Sequence, residues 1–111
     1  MNLQAKMMPP IVKRFIAAAN RRDANLVAAC FTPAATVRDE DRDYEGREAI
    51  HRWMDATSRR FEPTFVPLKS FVSDGVVRLQ MAVSGQFPGS PVTLDYELRV
   101  RHGKISALTI V

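Results

Sequence analysis

The feature that most constrains the fold is an alternation of apolar and polar residues in the second half of the chain. It runs through "VVRLQMAVSGQF" and "VTLDYELRVR", at residues 76–87 and 92–101. A period of two places alternate side chains on opposite faces of a β-strand. Both segments are therefore predicted to be half-buried antiparallel strands. Their apolar faces are Val77, Leu79, Met81 and Val83 in the first and Val92, Leu94, Tyr96, Leu98 and Val100 in the second.

The turns and the last segment agree with a sheet. "SDG" at 73–75 and "RHG" at 101–103 indicate tight turns, and "PGSP" at 88–91 indicates a looser connection. The final "KISALTIV" carries apolar residues on both faces. Helices packed on one side of a sheet cover only one of those faces, so this strand predicts a second covering layer. A second copy of the chain would provide it.

The first half has helical spacing. A helix is predicted from Pro10, because proline suits a first turn and the apolar residues Ile11, Val12, Phe15, Ile16 and Ala19 follow. Asp23 is predicted to cap a second helix that ends at Thr32-Pro33. Its apolar face would be Leu26, Val27, Cys30 and Phe31.

A short strand and a third helix complete the predicted elements. "ATVRD" alternates as a strand, "EDRDYEG" reads as a charged loop or short hairpin, and Gly46 begins the helix. The apolar face of this helix is Ile50, Trp53, Met54, Thr57 and Phe61.

Composition narrows the class of protein. A chain of 111 residues that is 46% hydrophobic predicts one domain, residues 1–111, with its own core. "MNLQAKMMPP" lacks the pattern of a secretory signal and no apolar run is long enough to cross a bilayer, so the cytoplasm is expected and a membrane partner is not. The net charge of +4 comes without a basic run interleaved with aromatics, so no nucleic-acid partner is expected.

The order of these elements resembles the nuclear transport factor 2-like superfamily, which includes SnoaL-like polyketide cyclases and ketosteroid isomerases. The resemblance rests on "RRDANLVAACFTPAATVRD", "YEGREAIHRW" and "LRVRHGKISALTI". It implies an α+β fold in which a cone-shaped, curved antiparallel sheet of four to six strands wraps around three helices and leaves an internal apolar pocket. It also implies a homodimer through the sheet and a small hydrophobic molecule in the pocket.

The same resemblance supplies candidate catalytic residues. "ATVRD" places Asp39 where ketosteroid isomerases carry their catalytic base, and their later-strand acid falls near Tyr96. The helix positions that carry their tyrosines are Phe15, Phe31 and Met54 here, so most of the isomerase hydroxyl network is replaced by apolar groups. A genuine steroid isomerase is therefore not expected.

Each candidate has a competing interpretation. Asp39 is either a general base that faces inward with Val37, or a rim carboxylate paired with Arg38, Arg42 or Arg47. Tyr96 either contacts a ligand, with Asp39 as its expected partner, or bonds to backbone or water. The aromatic side chains, Trp53 and Phe71 included, favour a core role even where they touch a ligand. The candidate ligand-binding residues are Phe15, Val37, Trp53, Met54, Leu79, Met81 and Leu94.

Other chemistries find little support in the sequence. His51 and His102 are isolated, so no metal site and no cofactor are expected, and no nucleophile elbow occurs. Epoxide hydrolysis would need an Asp–Arg–Asp set in the pocket, whereas Asp95 and Arg99 belong to the polar face. Two functions remain: an acid–base isomerase or cyclase with Asp39 as base, and a non-catalytic ligand-binding or dimeric scaffold module.

Overall fold

The protein is described here by a computed structural model of residues 8–111. The segment 1–7, on which the signal-peptide argument partly rests, lies outside the described residues. No helix in the described part of the chain is long and apolar enough to cross a membrane. The cytoplasmic location stays a prediction.

The structure has three helices and six strands, in the order that the sequence predicted except for one additional strand at 64–73. The helices are α1 (Pro10–Asn20), α2 (Ala24–Ala29) and α3 (Gly46–Phe61). The strands are β1 (Phe31–Asp39), β2 (Arg42–Glu45), β3 (Thr64–Ser73), β4 (Val76–Ser84), β5 (Val92–Arg101) and β6 (Lys104–Ile110). The α+β class with a single six-stranded sheet is confirmed.

The sheet has the order β2-β1-β6-β5-β4-β3. All neighbouring pairs are antiparallel except β1 and β6, which run parallel with Val37 opposite Leu108. This one parallel pair is long-range in sequence, and it places the last strand in the middle of the sheet. The helices cover one face, and the core lies between them and the inward side chains of β1, β4, β5 and β6.

Three hairpins close with turns whose two central residues have positive φ, the pattern of type I′ turns. Glycine occupies the second central position in two of them, where a left-handed backbone would strain another residue. The segment "EDRDYEG" is thus a short hairpin, the second of the two structures that the sequence allowed. The pairs are Glu40-Asp41, Asp74-Gly75 and His102-Gly103.

The second helix differs from its prediction. Asp23 does cap it, since its Oδ1 accepts a hydrogen bond from the backbone N–H of Leu26 at 3.1 Å. The helix ends at Ala29, however, and Phe31 already begins β1. Leu26 is 42% exposed because a helix of under two turns presents only one narrow side to α3 and the core.

Candidate functional site

An open-ended cavity of about 630 Å³ lies between the inner face of the sheet and the helices α1 and α3. It is at the end of the sheet where β1 and β6 finish and β5 begins. Its walls are mostly apolar, and its acidic residues belong to the end of β1 and the turn after it. The lining residues are Phe15, Ala19, Asp39, Glu40, Asp41, Trp53, Met54, Thr57, Phe61, Pro63, Phe65, Val83, Phe87, Pro88, Val92, Leu94, Tyr96, Ile110 and Val111.

Asp39 reaches this cavity because it is the last residue of β1 and shares the inward face with Val37. Val37 is fully buried in the core, and Asp39, two residues further along, is only partly buried. Its Oδ2 accepts a hydrogen bond from the indole N–H of Trp53 at 3.1 Å. None of the arginines proposed as its partners forms a salt bridge with it in the described structure, so the expected pairing is wrong.

Burial sets the protonation behaviour of Asp39. Removal from water raises the pKa of this carboxyl above its ordinary value, and the nearby charge of Glu40 acts in the same direction. The Trp53 N–H opposes this rise because it stabilises the carboxylate. The group is therefore a stronger base than a surface aspartate, and its oxygen is held in a fixed direction.

Trp53 holds this position because α3 starts immediately after the β1–β2 hairpin. Gly46, with φ of +86°, turns the chain from β2 directly into the helix. Two turns later, Trp53 packs with its ring 6.1 Å from that of Tyr44 on β2. The indole is 8% exposed, so Trp53 belongs to the core and also lines the cavity.

Tyr96 faces the same cavity from β5. The side chain is buried, and its hydroxyl makes no hydrogen bond within residues 8–111, including the expected bond to Asp39. Burial raises the pKa of the Tyr96 hydroxyl far above its ordinary value, and the charge of Asp39 raises it further. Tyr96 therefore stays protonated at neutral pH and remains a hydrogen-bond donor.

The predicted ligand-binding residues fall into two layers. Phe15, Trp53, Met54 and Leu94 line the cavity. The other three, Val37, Leu79 and Met81, do not line it, because they pack in the filled part of the core at 0%, 2% and 0% exposure. Contact with a ligand stays a prediction for the first group and is not supported for the second.

Several lining residues were not singled out from the sequence. Phe61 and Phe87 pack edge to face with centroids 5.8 Å apart at the end of α3 and in the loop before β5. Phe61 lies on the predicted apolar face of α3, which was a usable signal. Phe65 depends on the register of β3 and had no such signal. Phe87 did have one, because the alternating segment at 76–87 ends on it and it was expected among the core aromatic residues that can touch a ligand.

Comparisons with known proteins identify the family to which this chain belongs. The model of the SnoaL-like domain matches residues 12–108, which is nearly the whole chain. The chain belongs to the SnoaL-like domain family. A comparison with curated proteins gave no match.

Several solved structures share the fold of this SnoaL-like domain. A candidate polyketide cyclase from Sinorhizobium meliloti is 35% identical, with a TM-score of 0.93 over 97% of this chain and 99% of that one. A protein with a ketosteroid isomerase-like fold from Catenulispora acidiphila, solved in complex with trimethylamine, is 22% identical, with a TM-score of 0.83 over 94% of this chain and 85% of that one. The epoxide hydrolase/cyclase-like enzyme of salinomycin pyran-ring formation is 20% identical, with a TM-score of 0.79 over 90% and 85%.

Other reactive groups of the SnoaL-like domain lie away from the cavity. The described residues contain no group of three or more His, Cys, Asp or Glu side chains that could hold a metal ion. Asp95 and Arg99 are exposed on the outer face of the sheet. The buried Cys30 donates to the Leu26 carbonyl at 3.3 Å, and burial raises the pKa of its thiol.

The raised pKa of Asp39 predicts a pH-dependent cost in stability. The folded state holds this proton more tightly than the unfolded chain, so its stabilising contribution is complete below the ordinary value of 3.8 and is lost as pH rises through the folded pKa. Asp39→Asn, which stays neutral and can still accept from Trp53, is expected to raise the Tm at pH 7 by a few degrees. The difference should shrink towards pH 3. Thermal melts between pH 3 and pH 8 measure it.

Asp43→Asn is the matched control for that series. Asp43 lies on the same hairpin, is exposed, and pairs with Arg38 at 2.9 Å. Its replacement is expected to leave the Tm at pH 7 unchanged or slightly lower, because an exposed ion pair contributes little. An equal gain in Tm for both variants would contradict the assignment of the effect to the burial of Asp39.

Proposed function

We propose that this SnoaL-like domain binds a small, largely apolar molecule in the cavity and acts on it by acid–base chemistry, with Asp39 as general base. The observation that carries the proposal is a single arrangement. Asp39 is partly buried, without a salt-bridge partner among the described residues, and it is oriented by Trp53 towards a cavity that also contains the free hydroxyl of Tyr96.

The two protonation states suit a proton abstraction next to a carbonyl group. A carboxylate whose pKa is raised by burial accepts a proton more readily at neutral pH, which is where general bases are most effective. A tyrosine that stays protonated can donate a hydrogen bond to the oxygen on which negative charge develops. The resemblance to cyclases and isomerases supports this class of reaction.

Occupancy of the cavity can be tested without knowing the substrate. Trp53 is the only tryptophan of the chain and lines the cavity, so its fluorescence reports on binding there. We expect apolar carbonyl compounds of a size that suits about 630 Å³ to shift or quench it. Native mass spectrometry of the purified protein would show a bound passenger molecule and the oligomeric state together.

For a carbonyl compound that the parent protein converts, Asp39→Asn is expected to lower kcat about a hundredfold or more while binding changes less. An amide keeps the shape of the side chain and the bond to Trp53, but it does not accept the substrate proton. The measurement is steady-state turnover together with Trp53 fluorescence titration. Asp43→Asn should turn over at the parent rate, and unchanged turnover in Asp39→Asn would remove Asp39 as the base.

A second candidate function is ligand binding without catalysis. It is favoured by the apolar groups at three positions where ketosteroid isomerases carry hydroxyls, of which Phe15 and Met54 line the cavity and Phe31 packs edge-on against Phe15 at 5.8 Å. Of the positions aligned with the isomerase hydroxyl network, Tyr96 would then be the one that still carries a hydroxyl donor. Under this alternative, ligands perturb Trp53 fluorescence but are released chemically unchanged. Their affinity is then the same for the parent and for Asp39→Asn.

We also propose a homodimer through the outer face of the sheet. Two large apolar side chains of the edge strand β3, Val66 and Phe71, are exposed there, since they pair with Ala82 and Arg78 on the outer face of β4. An edge strand with exposed apolar side chains tends to associate with another chain unless its apolar surface is covered. Leu68, at the irregularity of β3, and Val72, which pairs with Val77, are exposed as well but are not part of this outer patch. The core position expected for Phe71 is wrong, since it is 46% exposed.

Phe71→Lys is expected to convert this dimer into a monomer of 12.5 kDa, because a lysine cannot be buried unpaired in an apolar interface. Light scattering after size-exclusion chromatography measures the mass. Leu26→Lys is the matched control, since Leu26 is similarly exposed but lies on the helical side. A parent protein that is already monomeric at high concentration would exclude the dimer.

A further inference from the structure

The charges around the cavity are all of one sign. Asp39, Glu40 and Asp41 belong to its lining, and no lysine or arginine of the described chain does. This is unusual for a domain whose net charge is +4. The position of the acids follows from the β1–β2 hairpin, since Asp39 ends β1 and the turn residues Glu40 and Asp41 also line the cavity.

Little of this negative charge is neutralised within the described structure. Neither Asp39 nor Glu40 takes part in a salt bridge there, whereas Asp41 contacts Arg38 at 3.6 Å and shares it with Asp43. Arg60 lies over the ring of Phe61, 5.0 Å from its centre, but does not line the cavity. The carboxylate of Asp39 is therefore compensated by two neutral donors, the Trp53 N–H and the backbone N–H of Glu40, and by no cationic side chain of the described residues.

The walls behind these acids are rich in aromatic rings. Four of the six phenylalanines of the chain line the cavity, and so do the only tryptophan and one of the two tyrosines. The face of an aromatic ring carries partial negative charge and attracts cations, most strongly where water is excluded. The rings are Phe15, Phe61, Phe65, Phe87, Trp53 and Tyr96.

Carboxylates and aromatic faces together select the charge of a ligand. A bound anion would be repelled by two unpaired acids and would meet no cationic side chain among the described lining residues. A neutral apolar molecule would bind through the hydrophobic effect alone. A cation with an apolar body gains that same burial and, in addition, the attraction of Asp39 and of the ring faces.

We propose that the cavity selects organic cations: protonated or quaternary amines whose ammonium group lies beside Asp39 and whose apolar body packs against the aromatic wall. This inference rests on the proposed function, in that it takes the cavity as the ligand site, and it specifies the charge of the ligand. The acids Asp39 and Glu40 supply the selectivity, and the apolar wall supplies most of the contact area.

A pair of probes that differ only in charge isolates the effect. Benzyltrimethylammonium and neopentylbenzene have the same shape, with a quaternary nitrogen in the first where the second has carbon. Both are titrated against Trp53 fluorescence, with calorimetry as a second readout. We expect the cation to bind about tenfold more tightly or better, and we expect this preference to fall as salt is raised from about 0.02 to 0.5 M.

Three variants locate the source of the preference. Asp39→Asn is expected to remove most of it, while affinity for neopentylbenzene stays within about twofold of the parent, because an amide keeps the volume of the side chain. Glu40→Gln should lower it by a smaller factor, since this residue is more exposed. Asp43→Asn, which removes a charge from the same hairpin outside the cavity, should leave it unchanged. Circular dichroism verifies that each variant is folded.

The outcomes separate this inference from the proposed function. Equal affinity for the two probes, or tighter binding of neopentylbenzene, would overturn cation selectivity and leave an apolar ligand site in place. A preference that survives in Asp39→Asn would overturn the role given to this acid. Absence of binding by either probe would overturn both the selectivity and the use of the cavity as a ligand site.

Discussion

Leu98→Ala is expected to lower the free energy of unfolding by about 3 to 5 kcal/mol. Leu98 is fully buried in the middle of β5, on the inner face, where its neighbours across the sheet are Val77 on β4 and Leu108 on β6. Both neighbours are fixed in hydrogen-bonded strands, so they cannot move to fill the space left by the lost methyl groups. The measurement is urea unfolding at fixed protein concentration.

Leu26→Ala is the control for this truncation. It removes the same atoms from an exposed position on α2, and its backbone contacts with Asp23 and Cys30 do not involve the side chain. We expect a change of less than about 0.5 kcal/mol, because little apolar area returns to water and alanine favours a helix. Similar decreases in the free energy of unfolding for Leu98→Ala and Leu26→Ala would mean that the inner face of β5 is not part of the core.

Gly85→Val is expected to destabilise the fold by about 3 kcal/mol and to deform the cavity. A Cβ at this position would lie 2.5 Å from the carbonyl oxygen of Phe61 and 3.2 Å from Pro63 Cα. That carbonyl accepts a 2.7 Å hydrogen bond from the N–H of Gln86, so moving it away would break the bond. Backbone atoms cannot yield as a side chain can, and the strand end must shift instead.

The same substitution should also weaken ligand binding, because Phe61, Pro63 and Phe87 line the cavity and surround Gly85. Thermal unfolding and Trp53 fluorescence titration measure the two effects. Ser84→Val places the same side chain one residue earlier, on the outer face of β4, and is expected to change stability by no more than about 0.5 kcal/mol. Full stability of Gly85→Val would show that this close approach is absent.

The stability of the domain and the chemistry of its cavity make opposite demands on Asp39. A neutral residue would suit a partly buried position better at pH 7, which is why Asp39→Asn is expected to melt at a higher temperature. An unpaired carboxylate is useful only if something enters the cavity that it can deprotonate or attract. Both proposals therefore predict the same trade-off, and they differ in whether the variant loses turnover or loses preference for a cation.

The candidate site was only partly accessible from the sequence. The strand pattern "ATVRD" left Asp39 either inward or at the rim, and the structure decides for the inward face, whereas the apolar face of α3 already indicated that Trp53 packs in the core. The bond between Trp53 and Asp39 was not predicted, because it depends on how α3 crosses β1. Val37, Leu79 and Met81 share faces with lining residues but lie deeper, since periodicity identifies a face and not the depth at which the core stops being filled.

The sequence by itself determined the class of fold, the order of the elements and the inward faces of β4, β5 and α3, because these depend on local periodicity and turn residues. Only the tertiary structure decided the parallel pairing of β1 with β6, the early end of α2 and the exposure of Leu26, since each depends on contacts between residues distant in the chain. The cavity was expected only through the family resemblance, and its lining and extent were decided by the tertiary structure. It is the volume that three short helices leave unfilled against a curved sheet, and no local pattern encodes an absence of side chains.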